Sequence, residues 1–349
     1  MKVGLVGFCG VGKTTIFSAL TGIRASVGFH HGQADKPNLG VIKVPDPRLD
    51  ALAKFYNTRK VTPAEVCFVD LPGRGGPART ALDPGVVAQM RDVDAFALVV
   101  RGFEDAAGEE AAPTRELRAF LDELALADLA VVEKRLERVR KEKAPEREVS
   151  LLRRCHEALD GGQQLRHVGL RADEENVLAH FAFVSLKPLL VVLNVAEAGI
   201  GSGLPADFQQ AAAAEHAVAM AICGQVEMEV EELPEQERSE YLRELGIGEP
   251  ARERFIQGSY ELLKLISFLT HNQEEVRAWP IRMGTLAVEA AGKVHTDMER
   301  GFIRAEVIHF EDLISCGSEA RCRELGKLRV EGRDYVVRDG DVIHFRFNV

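Results

Sequence analysis

Short apolar runs recur along the first two thirds of the chain. Met1 to Val6, Glu65 to Val69, Ala95 to Val100 and Leu189 to Leu193 are rich in valine and leucine and end at turn residues, which predicts parallel strands covered on both faces. Elsewhere the period changes. Ile16, Phe17, Ala19 and Leu20 follow helical spacing up to Gly22, a residue suited to ending a helix. Leu129, Val132, Leu136 and Val139 recur at threes and fours, Pro145 interrupts, and Val149, Leu152, His156 and Leu159 resume the pattern. That predicts a helical hairpin. Towards the C-terminus the period falls to two, at Tyr335 to Val337 and Val342 to Phe345, as in half-buried strands.

A chain of 349 residues exceeds one ordinary core and predicts two or three domains. Its formal net charge of −10 excludes a general nucleic-acid coat but leaves room for a regional basic patch. From Glu133 to Arg154 nine lysines and arginines face five glutamates, a local excess of four positive charges. The predicted hairpin is therefore a candidate RNA contact, with a plain charged surface as the competing reading. The six cysteines are scattered with no CxxC pair, which predicts idle thiols in a reducing compartment, and no metal centre or disulfide framework. The N-terminal apolar run is cut by Gly12, Lys13, Thr14 and Thr15. No stretch approaches the roughly 18 apolar residues that span a bilayer, so a cytoplasmic location without membrane association is expected. His295 and His309 are expected to be structural.

The chemistry concentrates where the first strand ends. Gly7-Phe8-Cys9-Gly10-Val11-Gly12-Lys13-Thr14 is GxxxxGK[ST] between a strand and a helix. A loop that wraps a phosphate must turn several backbone N–H groups inward, which glycine permits, and the helix N-terminus adds partial positive charge. Gly10, Val11, Gly12, Lys13, Thr14 and Thr15 would line the nucleotide. Lys13 would reach the β- and γ-phosphates, and the Thr14 hydroxyl would ligate Mg²⁺. The second strand ends in Asp70-Leu71-Pro72-Gly73, a DxxG in which Asp70 would serve the metal and Gly73 would sense the γ-phosphate. The strand at 189–193 ends in Asn194-Val195-Ala196-Glu197. A guanine site would carry an aspartate where Glu197 stands, which weakens the case for guanine. Cys223 and Gly224 fall where a base-capping loop would lie.

With these pieces in place the sequence resembles the YchF subfamily of Obg-like P-loop ATPases over nearly its full length. NVAE (194–197) matches that subfamily's NxxE base motif, LALADL (124–129) and the residues after it resemble its helical insertion, and AWPIRMGT, AAGKVHTDMERGFIRAEVI and EGRDYVVRDGDVIHFRFNV resemble its TGS domain. The resemblance implies ATP preference, a ubiquitin-like β-grasp module at the C-terminus and association with the ribosome or RNA through the hairpin and that module. Four departures bear on chemistry. Gly10 replaces an asparagine linked to potassium assistance; aligning on Pro37-Asn38 puts Ala34, beside Asp35, at the switch threonine. Arg74 follows the DxxG where the family has a hydrophobic residue, and a histidine-containing stretch is missing after Val99-Val100-Arg101-Gly102-Phe103.

The expected fold is α/β, a P-loop nucleotide-binding domain (1–125 and 177–275) interrupted by a helical hairpin (126–176) and followed by a TGS domain (277–349). The expected function is a monomeric switch that binds and hydrolyses ATP, or GTP, with Mg²⁺. Lys13, Asp70, Gly73 and Arg74 would be catalytic, the last as an arginine finger or else a solvent-facing loop residue. The alternatives are a nucleotide-binding regulatory module with little or no hydrolysis, a GTP-preferring GTPase, and a small-molecule kinase, for which no lid or substrate pocket is apparent.

Overall fold

The computed structural model describes residues 1–23, 37–72, 82–105, 107–139, 141–142 and 145–348. In chain order the elements begin with β1 (Lys2–Val6), α1 (Lys13–Thr21), β2 (Asn38–Lys43), α2 (Pro47–Tyr56), β3 (Lys60–Thr62), β4 (Glu65–Asp70), α3 (Pro84–Arg91) and β5 (Ala95–Gly102). There follow α4 (Pro113–Val139), α5 (Glu146–Asp160), α6 (Ala172–Leu178), β6 (Leu189–Val195), α7 (Ala206–Ala214), β7 (Val218–Ile222), α8 (Gly224–Glu232), α9 (Glu235–Glu244) and α10 (Ala251–Leu262). The last stretch is β8 (Leu265–His271), β9 (Glu275–Arg282), α11 (Ala287–Val294), α12 (Thr296–Arg300), β10 (Phe302–His309), α13 (Phe310–Cys316), α14 (Glu319–Glu324), β11 (Arg329–Glu331) and β12 (Asp341–Phe347).

Two compact units emerge, residues 1–41 with 67–262, and residues 42–66 with 263–349. In the first, a six-stranded sheet runs β2-β4-β1-β5-β6-β7, and the pairs β1–β4, β1–β5, β5–β6 and β6–β7 are all parallel. The apolar runs read from the sequence are its buried strands. Six consecutive residues of β6 and seven of β5 are buried, because helices cover both faces.

Helix α4 serves two cores at once. Leu117, Phe120, Leu121 and Leu124 in its first half belong to the sheet's apolar cluster, while Ala125 and Val132 pack with Leu151, Leu152, Cys155 and Leu159 of α5. The hairpin's first helix thus starts at Pro113, well before the expected 126, since the helical period extends back through residues that also suit the sheet. At the junction Asp128 is fully buried and accepts hydrogen bonds from Val184 N (3.1 Å), Ser185 N (2.7 Å) and Ser185 Oγ (2.7 Å). His156, expected on the apolar stripe, instead lies beside Glu133 at 3.7 Å.

The second unit has a six-stranded mixed sheet in the order β11-β10-β12-β8-β9-β3. Strands β8 and β9 form an antiparallel hairpin, and β12 returns parallel to β8. Ala287, Ala290 and Ala291 of α11 pack on Phe268, Phe302, Val307 and Phe345, which is the β-grasp arrangement. Two expected boundaries change. The limit placed at 275–277 falls at the start of β9, whose partner β8 already belongs to the same sheet; and residues 42–66, expected in the nucleotide-binding domain, join this unit because β3 pairs with β9.

Candidate nucleotide site

The loop from Gly7 to Gly12 has the backbone that its glycines allow. Gly10 and Gly12 have φ of 81° and 86°, the left-handed region where side chains are strained. Gly12 also caps α1 without any side-chain hydrogen bond, so the first N–H groups of the helix keep their capacity for an anion. Lys13 is buried, and its Nζ donates to Gly7 O (2.9 Å) and Phe8 O (2.8 Å). Burial lowers its pKa to about 8, with the nearby Asp70 and Cys9 acting in the opposite direction.

Asp70 lies at the end of β4, directly beside Leu5 of β1. This register brings the DxxG aspartate to the phosphate loop, where Thr14 Oγ1 donates to its Oδ2 at 3.1 Å. Asn38 Nδ2 donates to the same oxygen at 3.2 Å. Burial raises the Asp70 pKa, while the bonds from Asn38 and Thr14 and the charge of Lys13 pull it back. Asn38 was not among the expected site residues: its neighbourhood offered only an alignment landmark, and its bond to Asp70 depends on a strand pairing that no local pattern encodes. Gly73, Arg74, Ala34 and Asp35 lie outside the described residues.

The motif at 194–197 divides its labour. Asn194 is buried; its Nδ2 donates to Val11 O (2.9 Å), and its Oδ1 accepts from Gly224 N (3.1 Å). The side chain therefore bolts the phosphate loop to the start of α8. A Cβ added to Gly12 would lie 2.2 Å from Asn194 Nδ2, and one on Gly224 would lie 3.3 Å from Thr15 Cγ2. Val195 packs against the apolar cluster around the buried Cys223, so Cys223 can meet a base only through its backbone. Glu197 is exposed at the start of a short 3₁₀ turn, open to an incoming ligand. Sequence reasoning also passed over Arg101: buried at the end of β5, it donates to Phe103 O (3.0 Å), Glu109 O (2.8 Å) and Glu110 O (3.4 Å), and so gathers the acidic loop against the sheet.

A glycine loop between β1 and α1, a lysine folded into it, and a threonine and aspartate meeting at the ends of adjacent parallel strands define a P-loop nucleotide-binding protein of the G-domain class. Residues 2–135 match a family model described as 50S ribosome-binding GTPase, and residues 265–348 match the model of the YchF GTPase C-terminal region, described as a protein of unknown function. The chain is 38% identical over 360 residues to the ribosome-binding ATPase YchF of Escherichia coli O157:H7, covering 100% of this chain and 99% of that one. It is 37% identical over 364 residues to the protein of the same name from Bacillus subtilis, with 100% of both chains covered. The solved structure of the Schizosaccharomyces pombe YchF GTPase superposes with a TM-score of 0.86 at 27% identity, covering 99% of this chain and 97% of that one. The chain belongs to the YchF family.

Proposed function

We propose that this protein binds ATP in preference to GTP, hydrolyses it with Mg²⁺, and acts as a switch associated with the ribosome. The observation that carries the reading is the convergence of Lys13, Thr14 and Asp70 on one face of the phosphate loop. Lys13 would exchange two neutral carbonyl partners for phosphate oxygens, and the N–H groups of Gly10 to Thr15 would hold the phosphates. Asn194 fixes the loop relative to Gly224, leaving Glu197 to meet the base, where a carboxylate can accept from the amino group of adenine.

The residues present fit a magnesium ion. A hydroxyl and a carboxylate, both hard oxygen donors, lie 3.1 Å apart beside the loop. Thr14 and Asp70 would hold the ion, Asp70 directly or through water. When bound, Mg²⁺ supplies charge neutralisation across the phosphates. Gly73 would contribute its N–H to the γ-phosphate.

The names of the relatives, together with the basic excess of the hairpin, support the ribosome as partner. Lys134, Arg138, Lys141 and Arg153 are exposed there. A second reading, nucleotide binding with little hydrolysis, is favoured by Ala34, which cannot ligate a metal.

Titration calorimetry of ATP and GTP with and without Mg²⁺, followed by single-turnover hydrolysis, tests the proposal. Tighter ATP binding and measurable turnover are expected. Equal affinities would remove the adenine reading, and binding without turnover would favour the sensor.

A further inference from the structure

The oxygen that Thr14 donates to is shared. Asn38, which opens β2, donates to the same Asp70 Oδ2, and Gly40, two residues on, lies flush against α1: a Cβ there would fall 2.4 Å from Thr21 Cγ2. The start of β2 is thus fitted to the phosphate site and its helix. A ligand that draws on Asp70 Oδ2 competes directly with the Asn38 bond.

Beyond these residues the chain leaves the nucleotide unit after Val41 and rejoins it at Cys67. The excursion is bound firmly into the second unit. Arg48 bridges Asp46 (2.8 Å) and Asp339 (2.7 Å), and Asp339 in turn accepts from Ser267 N of β8 (2.8 Å). The Tyr56 ring stacks on His271 with centroids 3.7 Å apart, and both side chains share Glu319 Oε1, at 2.7 and 3.1 Å. Strand β3 pairs in parallel with β9, and Lys60 reaches Glu275 at 3.2 Å. Both ends of the excursion, Asn38 before it and Asp70 after it, therefore meet at one carboxylate.

We infer that Asn38 is a positioning residue of the phosphate and metal site, and that through its bond to Asp70 the occupancy of that site is transmitted along β2 and β4 into residues 42–66 and the second unit. The inference rests on the proposed reading of Thr14 and Asp70 as the metal-binding pair. Its physical basis is differential: the Asn38 bond competes with whatever occupies Asp70, so the two states hold the root of β2 differently, and packed elements answer by discrete shifts.

The test is hydrogen exchange of the full chain, with and without Mg²⁺ and a non-hydrolysable ATP analogue, read on peptides from 42–66 and 265–282. Trp279, the single tryptophan, lies on β9 under the Arg277 guanidinium at 4.0 Å and gives a second readout by emission. Binding is measured by calorimetry on the same samples, so failure of the site reading appears as absent binding. Binding with an exchange-rate change of about threefold or more in 42–66 is expected. In Asn38→Ala that change should disappear at analogue concentrations that calorimetry on the same variant shows to be saturating. Asn38→Ser, also too short to reach Asp70, must behave in the same way and replaces the alanine variant should that fail to fold. Binding that leaves 42–66 unchanged in the wild type, or a full change in either variant, overturns the inference.

Discussion

Lys13 carries an energetic consequence of being held by its own loop. A lysine whose pKa is lowered to about 8 by burial is increasingly neutral above that pH in the free protein, whereas phosphate oxygens favour its charged form. The sign follows: above about pH 8 binding must take up a proton, so affinity should fall, approaching tenfold per pH unit, and below it affinity should be flat. Calorimetry at about pH 7 and pH 9, in buffers of differing ionisation enthalpy, counts the protons; an equal uptake at both would contradict the assignment. Lys13, Thr14 and Asp70 were legible in the sequence because strand, loop and helix are contiguous and each motif is local. Asn38 was not, since its bond to Asp70 arises only when two distant strands join one sheet, and Asn194, expected at the base, gave no sign in the sequence of its bonds to Val11 and Gly224.

Among the elements, α4 shows how a buried charge can set a junction. Asp128 accepts two backbone N–H groups and one hydroxyl from Val184 and Ser185, and replacing it with alanine would orphan those donors in the interior. A loss of about 2–4 kcal/mol is expected from denaturant unfolding. Burial nevertheless raises the Asp128 pKa, despite these bonds. A carboxyl group with a raised folded pKa contributes stability at acid pH, below its unfolded value, and loses that contribution as pH rises through the folded value. The stability difference between wild type and Asp128→Asn should therefore shrink as pH rises through that window, and a growing difference would contradict it. The apolar spacing predicted the two hairpin helices, but not where the first begins, because Leu117, Phe120 and Leu124 continue the same period while facing another core. The place of β8 was misjudged for a related reason: LISFLTH (265–271) is a short apolar run that suits either sheet, and its pairing with β9 decides the matter.

For the molecule as a whole, charge is uneven: a chain of net −10 includes an arm with a local excess of four positive charges. Charge reversal at Lys134, Arg138 and Arg153 together should weaken binding to purified ribosomes and flatten its salt dependence by up to about three units of log–log slope, while leaving ATP affinity unchanged. Retained binding with the original slope would place the contact elsewhere. The same arm is an extension of α4, a single helix of 27 residues, and its two halves must face two cores at once. An α-helix turns about 100° per residue, so one residue gained or lost between Leu124 and Val132 would swing the basic face round by that angle, whereas a change of about seven would restore its azimuth. The direction in which the arm presents its charge is therefore indexed to the sheet like the tooth of a gear, and its length is free to vary only at the tip or in near-whole turns.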